Sequence, residues 1–270
     1  MLRIETVAGV RTLTLNRPER LNALTPALAQ DLREALIDSS HDPGVKVVVL
    51  TGAGRGFCAG FDLAGGDGKL DPLAEKWSND PIWWDPDQLA ARMMEDGQAA
   101  ILLRRMGKPT IAAVRGPAAG TGLVLAAACD LRIASQTAIF KTAFASAGRC
   151  GDPGGSYLLT QLVGPAKARE LYLLDEKISA DVALAIGLVT KVVPDEALED
   201  ITRELALRFA NGPGLAYAGI KRNLNAAETG SLEETMAIEG PANARASLSH
   251  DGKEAGRAFQ EKRTPKFRGY

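Results

Sequence analysis

Two glycine-rich turns each follow an apolar run of strand type, and each offers main-chain N–H groups that a ligand oxygen could reach. The first is Gly52-Ala53-Gly54-Arg55-Gly56-Phe57-Cys58-Ala59-Gly60-Phe61-Asp62, after Val47-Val48-Val49-Leu50-Thr51. The second is Gly116-Pro117-Ala118-Ala119-Gly120-Thr121-Gly122, after Ile111-Ala112-Ala113-Val114. Small residues let a ligand approach the backbone closely, and a helix start presents unpaired N–H donors with a favourable dipole. Donors converging from two such turns can hold an oxyanion as charge develops on it. Taken alone, each glycine run reads as a tight turn.

Asp152, in Gly148-Arg149-Cys150-Gly151-Asp152-Pro153-Gly154-Gly155-Ser156, offers a carboxylate. It could carry protons or cap a good turn-forming sequence. Cys150 beside it reads as a small packing thiol rather than a nucleophile, because no base is evident nearby. The two histidines, His41 and His250, sit in polar, turn-like contexts. That weighs against a Ser-His-Asp triad or a histidine metal site. Gly120-Thr121-Gly122 completes neither a phosphate-loop nor a GxGxxG pattern, so nucleotide chemistry is poorly supported.

The elements that must position these groups alternate. Val10, Thr12 and Thr14 face one way and Leu13 and Leu15 the other, as in a strand. Thr25-Pro26 predicts a helix start, with Leu28, Leu32 and Leu36 on one face. The runs 47–51 and 110–114 predict strands buried on both sides of a parallel sheet. A small-residue helix is expected over 120–129, with strands over 130–134 and 188–193. Strand–helix–strand alternation gives an α/β fold. From Asp195 onward the pattern turns helical, which predicts a core over 1–194 and a helical region over 195–270. The stretch from Asp62 to Gln98 is irregular and holds Trp77, Trp83 and Trp84. These are expected to line or cover an apolar ligand.

The totals are those of an ordinary globular chain. Hydrophobic residues make 46% of 270 and charged residues 24%, with a net charge of −1. That balance advertises neither nucleic acid nor an anionic membrane as partner. Three cysteines without CxxC spacing argue against a disulfide framework. With no signal peptide or membrane span evident, a cytoplasmic protein is expected.

Four segments, in order, carry a resemblance. Asn16-Arg17-Pro18-Glu19-Arg20-Leu21-Asn22-Ala23-Leu24 resembles the N-terminal signature of the enoyl-CoA hydratase/isomerase (crotonase) superfamily. Phe57 to Leu63 is similar to its first oxyanion-hole segment, and Lys108 to Asp130 to its second. Phe259 to Phe267 resembles its C-terminal end. The resemblance implies a spiral of β-β-α units with a helical C-terminal region that assembles trimers or hexamers. It implies an acyl-CoA substrate, with coenzyme A as part of that substrate and no separate cofactor or metal. It also implies that the thioester oxygen binds the N–H groups of Ala59 and Thr121. Thr121 departs from the usual glycine. Arg20 and Ala23 match the segment lining adenine and pantetheine, and Gly60, Phe61 and Asp62 match the substrate-binding turn.

Hydratases of the family carry two glutamates. The matching positions here are Val124 and Phe144, expected to line the substrate without carrying protons. Asp152 matches the aspartate of the isomerase branch acting on ring-epoxidised phenylacetyl-CoA. The resemblance therefore implies isomerisation of an unsaturated or ring-epoxide acyl-CoA, with Asp152 as the single proton shuttle. A hydratase with an atypical acid set, supported by Asp62 or Glu95, is the alternative. A noncatalytic acyl-CoA-binding or RNA-binding homologue is another.

Overall fold

A computed structural model of the chain describes residues 1–62 and 85–269. Strands β1 (Leu2–Val7) and β2 (Val10–Leu15) form an antiparallel hairpin. Its two-residue loop needs positive φ at both positions, met by Ala8 (49°) and Gly9 (81°). Strands β3 (Val47–Gly52), β4 (Thr110–Val114), β6 (Leu131–Ser135) and β9 (Lys191–Val193) extend the sheet in parallel, in the order β1-β2-β3-β4-β6-β9. β5 (Pro117–Ala119), β7 (Ile139–Lys141) and β8 (Ile178–Ser179) make a second, smaller sheet.

The alternation in β2 sorts as its sequence demands, with Leu13 and Leu15 wholly buried while Thr12 and Thr14 are half-buried. Helix α1 (Pro26–His41) begins where Thr25 caps it, its hydroxyl accepting from Leu28 N–H at 3.2 Å. Leu28, Leu32 and Leu36 bury one face of α1 against the core that also holds Leu13, Leu50 and Leu103. Helices α2 (Pro86–Asp96), α3 (Gln98–Arg105), α4 (Thr121–Ala128), α5 (Gly155–Leu174) and α6 (Ala180–Ala185) follow between strands.

Parallel pairing decides where chemistry can gather. Thr51 sits opposite Ala113, so β3 and β4 end at the same edge. The turns that follow therefore leave the sheet together. This is the usual ligand side of a parallel sheet.

After Pro194 come α7 (Leu198–Ala210), α8 (Gly214–Ala227), α9 (Leu232–Leu248) and α10 (His250–Gln260). Leu198 and Ala206 of α7 bury against Val47, Val49, Ile111 and Ile133, covering the second face of the large sheet. Two details differ from expectation, and a third concerns the basic C-terminal segment after α10. Leu188 and Val189 are buried core residues before the short β9 rather than strand; the Leu188 carbonyl accepts from Arg132 Nε at 2.7 Å. His250 opens α10, whose cap is Ser249, because the Ser249 hydroxyl accepts from Gly252 N–H. The basic tail is held: Asp251 accepts from Arg268 and Gly269 N–H, each at 2.7 Å. Among the described residues no helix is long and apolar enough to cross a membrane. Trp77, Trp83 and Trp84 lie outside the described residues.

Candidate active site

The two glycine turns lie against one another. Cys58 bridges Ala118 in parallel fashion, and Ala119 N–H donates to Cys58 O at 2.9 Å. A Cβ on Gly122 would stand 2.2 Å from Cys58 O, and one on Gly60 3.0 Å from Ala119 O. Only glycine permits the approach at Gly122, where the obstacle is backbone.

The N-terminal signature segment braces the first turn. Asn22, fully buried with φ 57°, accepts from Arg17 N–H and donates to Ala53 O (2.9 Å) and Gly56 O (2.7 Å). Arg17 donates to Ala23 O at 2.7 Å and pairs with Asp62 at 3.0 Å. Arg20, its side chain 35% exposed, meets the other Asp62 oxygen at 3.3 Å. Ala23 is buried and its carbonyl is thus engaged within the protein. Asp62 is held between two guanidinium groups.

The N–H groups from Cys58 to Asp62 correct one expectation. Cys58 N–H donates to Pro117 O, Ala59 N–H to Leu21 O (3.0 Å) and Asp62 N–H to Leu24 O (2.9 Å). Gly60 N–H faces the Cys58 sulfur. Ala59, expected as an oxyanion donor, is therefore engaged by backbone. Phe61 N–H has no partner among the described residues, nor has Thr121 N–H at the start of α4. The reason is register: the bridge between Leu24 and Phe61 engages Gly60 O and Asp62 N–H on either side and leaves Phe61 N–H pointing away from that partner.

Asp152 reaches the second turn. The Thr121 hydroxyl donates to Asp152 Oδ2. Burial pushes the Asp152 carboxyl up from its ordinary value, opposed by the Thr121 hydroxyl and the charge of Arg149. Val124 (2% exposed) and Phe144 (5%) flank the same place. A Cβ on Gly155 would lie 2.8 Å from Val124, and one on Gly120 would lie 3.9 Å from the Phe144 ring. Phe144 stacks on Tyr172 with ring centres 5.7 Å apart. Neither side chain can carry a proton. Cys58 is fully buried and its thiol is pushed up to about 12, chiefly by burial. Cys150 is exposed.

A model of the enoyl-CoA hydratase/isomerase family matches residues 5–270. The chain belongs to the enoyl-CoA hydratase/isomerase family. It is 38% identical over 261 residues to the 1,2-epoxyphenylacetyl-CoA isomerase of Escherichia coli (strain K12), covering 97% of this chain and 95% of that one. It is 36% identical over 269 residues to a probable enoyl-CoA hydratase of Rhodobacter capsulatus, covering 99% and 98%. A solved structure of a putative enoyl-CoA hydratase from Streptomyces coelicolor A3(2) superposes with a TM-score of 0.90 at 36% identity, covering 100% of this chain and 94% of that one. The fold is the crotonase fold.

This enoyl-CoA hydratase/isomerase family member has a second carboxylate near the first that the sequence reading missed. Asp96 ends α2, and the next residue, Gly97, packs on Pro153, which follows Asp152: a Cβ there would lie 2.7 Å from the proline Cβ. The Asp96 side chain is 17% exposed. Its carboxyl is pushed up to about 6 by burial, with the charges of Glu95 and Asp152 adding to that and Arg92 and Arg33 opposing it. Glu95, the neighbour considered from sequence, is 60% exposed and faces Arg33 and Arg92. Helical spacing separates the two: adjacent residues point about 100° apart, so one faces inward and the other outward. Asn22 and Arg17 were also missed, although polar residues between buried Leu15 and Leu24 are a usable signal. Among the described residues, no group of three or more His, Cys, Asp or Glu could hold a metal.

Proposed function

We propose that this protein is an acyl-CoA isomerase in which Asp152 removes a proton beside the thioester and returns it at another carbon. The enolate oxygen would rest on Phe61 and Thr121 N–H. With a β,γ-unsaturated acyl group, Asp152 takes the α-proton and the C–H electron pair passes into the enolate. The same carboxyl then protonates the γ-carbon, and the double bond shifts to α,β. Atoms balance without water or any other reagent. The observation that carries this reading is the substitution pattern around Asp152: Val124 and Phe144 are buried and apolar, while Asp152 is the carboxylate bonded to the oxyanion turn. Similarity to the Escherichia coli isomerase supports a ring-epoxide or unsaturated acyl substrate.

One observation favours a second reading. Water addition needs a base for water and an acid for carbon. Asp96 precedes Gly97, which packs on Pro153 beside Asp152, and relatives named as hydratases are also similar. A panel of β,γ- and α,β-unsaturated acyl-CoA thioesters, followed for double-bond migration and for water addition, separates the two. Migration without hydration is the expected result, and efficient hydration by the parent protein would transfer the assignment to the Asp96–Asp152 pair.

A further inference from the structure

An oxyanion donor at position 121 needs only its backbone, which glycine would supply. This chain instead places a hydroxyl there and directs it at Asp152, 31 residues later. We propose that Thr121 is a positioning residue that fixes the Asp152 carboxylate against the oxyanion turn. One residue would then set both partners of the reaction, the enolate oxygen through its N–H and the base through its hydroxyl. The inference rests on the proton-shuttle reading above.

The geometry of enolate formation gives the reason. The carbon that loses its proton is one bond from the carbonyl carbon, so the base must stand at a fixed offset from the oxyanion donors. Asp152 sits on a turn bounded by Gly151 and Gly154, both with positive φ (144° and 90°), which does not by itself define that offset. Thr121, by contrast, is rigidly placed. Its neighbour Gly122 is pressed on Cys58 O, and Gly120 N–H is bonded to Lys141 O at 3.2 Å. A hydroxyl on this frame gives the turn-borne carboxylate a fixed anchor. It engages Oδ2 and leaves Oδ1 for the proton in transit.

The electrostatics agree. An ionised carboxylate only accepts hydrogen bonds, and removing it from water without a donor is costly. The Thr121 hydroxyl supplies that donor and favours the ionised form against burial. The other titratable groups coupled to Asp152 are Arg149 on its own turn, Asp96 of α2, Tyr172 of α5 and Cys58 of the first turn. Arg149 favours the charged carboxylate, while the charge of Asp152 adds to the raising of Asp96.

The test compares Thr121→Val, which keeps the shape and loses the donor, with Thr121→Ser, which keeps the donor. Asp152→Asn serves as the reference, and a β,γ-unsaturated acyl-CoA is the substrate. Thr121→Val should lose roughly 10- to 100-fold in kcat, the scale of a hydrogen bond to a charged group. KM should stay within about threefold, since the N–H donors remain. The acidic limb of kcat/KM should move to higher pH, because the ionised form has lost its donor. Thr121→Ser should recover most of the rate and return the limb. If Thr121→Val does not fold, Thr121→Ala carries the same expectations. Parental kcat with an unmoved limb in the valine variant would overturn the proposal, as would a serine variant as slow as valine. A slow Asp152→Asn beside a fast Thr121→Val would overturn only the role of Thr121. Parental rates in Asp152→Asn would overturn the proton-shuttle reading and this proposal with it.

Discussion

Arg17 and Asp62, 45 residues apart in sequence, form an ion pair of 3.0 Å in which each side chain is only 6% exposed. The pair ties the N-terminal signature segment to the end of the first glycine turn, immediately after Phe61. Removing one partner of a buried pair leaves an uncompensated charge. Asp62→Ala should therefore cost on the order of 3 kcal/mol in unfolding free energy, read from urea midpoints. A loss below about 1 kcal/mol, the scale of an exposed pair, would count against this role.

Gly122 lets α4 approach Cys58 O, where a Cβ would stand 2.2 Å away. Neither backbone can yield without parting the two turns. Gly122→Ala should destabilise the fold by roughly 3 kcal/mol, the upper range for overpacking. Any folded fraction should bind acyl-CoA weakly. Parental melting temperature and affinity would refute the close approach.

Asp152→Asn keeps side-chain size but loses the basic oxygen. Turnover should fall by roughly 10²–10⁴, the contribution of general base catalysis, while ligand affinity changes little. In the parent protein the base must be ionised, and burial raises its carboxyl. The acidic limb of kcat/KM should therefore lie above the ordinary aspartate range and vanish from the residual rate of the variant. A folded asparagine variant with parental isomerisation would exclude Asp152 as the base.

Asp96 makes a thermodynamic prediction independent of substrate. Its carboxyl titrates at about 6 when folded against 3.8 ordinarily. Between those values the folded chain holds a proton that the unfolded chain has released. Its contribution is thus fully present below the lower value and lost as pH rises through the upper one. Asp96→Asn stays neutral, so its stability relative to the parent should increase from about pH 4 to about pH 6. A constant difference across that interval would contradict the raised carboxyl.

The helices after Pro194 leave large apolar side chains in water: Leu224 is 61% exposed, Leu232 71%, Met236 60%, Leu248 73% and Phe259 86%. Such a concentration is unusual on a monomer's surface. Sedimentation should show a trimer-based assembly, and Leu224→Glu with Met236→Glu should shift it toward monomer. A parent chain that sediments as a monomer at micromolar concentration would refute the assembly.

The sequence by itself determined the local elements and the chemical inventory. Alternation defined β2, the Thr25-Pro26 start defined α1, and valine runs defined β3, because these depend on periods and caps within one segment. The loss of both family glutamates and the presence of Asp152 were also legible, since residue type alone decides who can carry a proton. Tertiary structure decided which groups are free to act. Whether Ala59 or Phe61 keeps a spare N–H depends on bonds to Leu21 and Leu24, some 40 residues away, and a one-residue step in a bridge reverses the direction of every N–H. The same holds for carboxylates. Asp62 is ion-paired with Arg17, and Asp96 is half-buried with its carboxyl raised partly by Asp152, because packing between distant segments sets each group's solvation and partners. No spacing within the chain encodes either outcome.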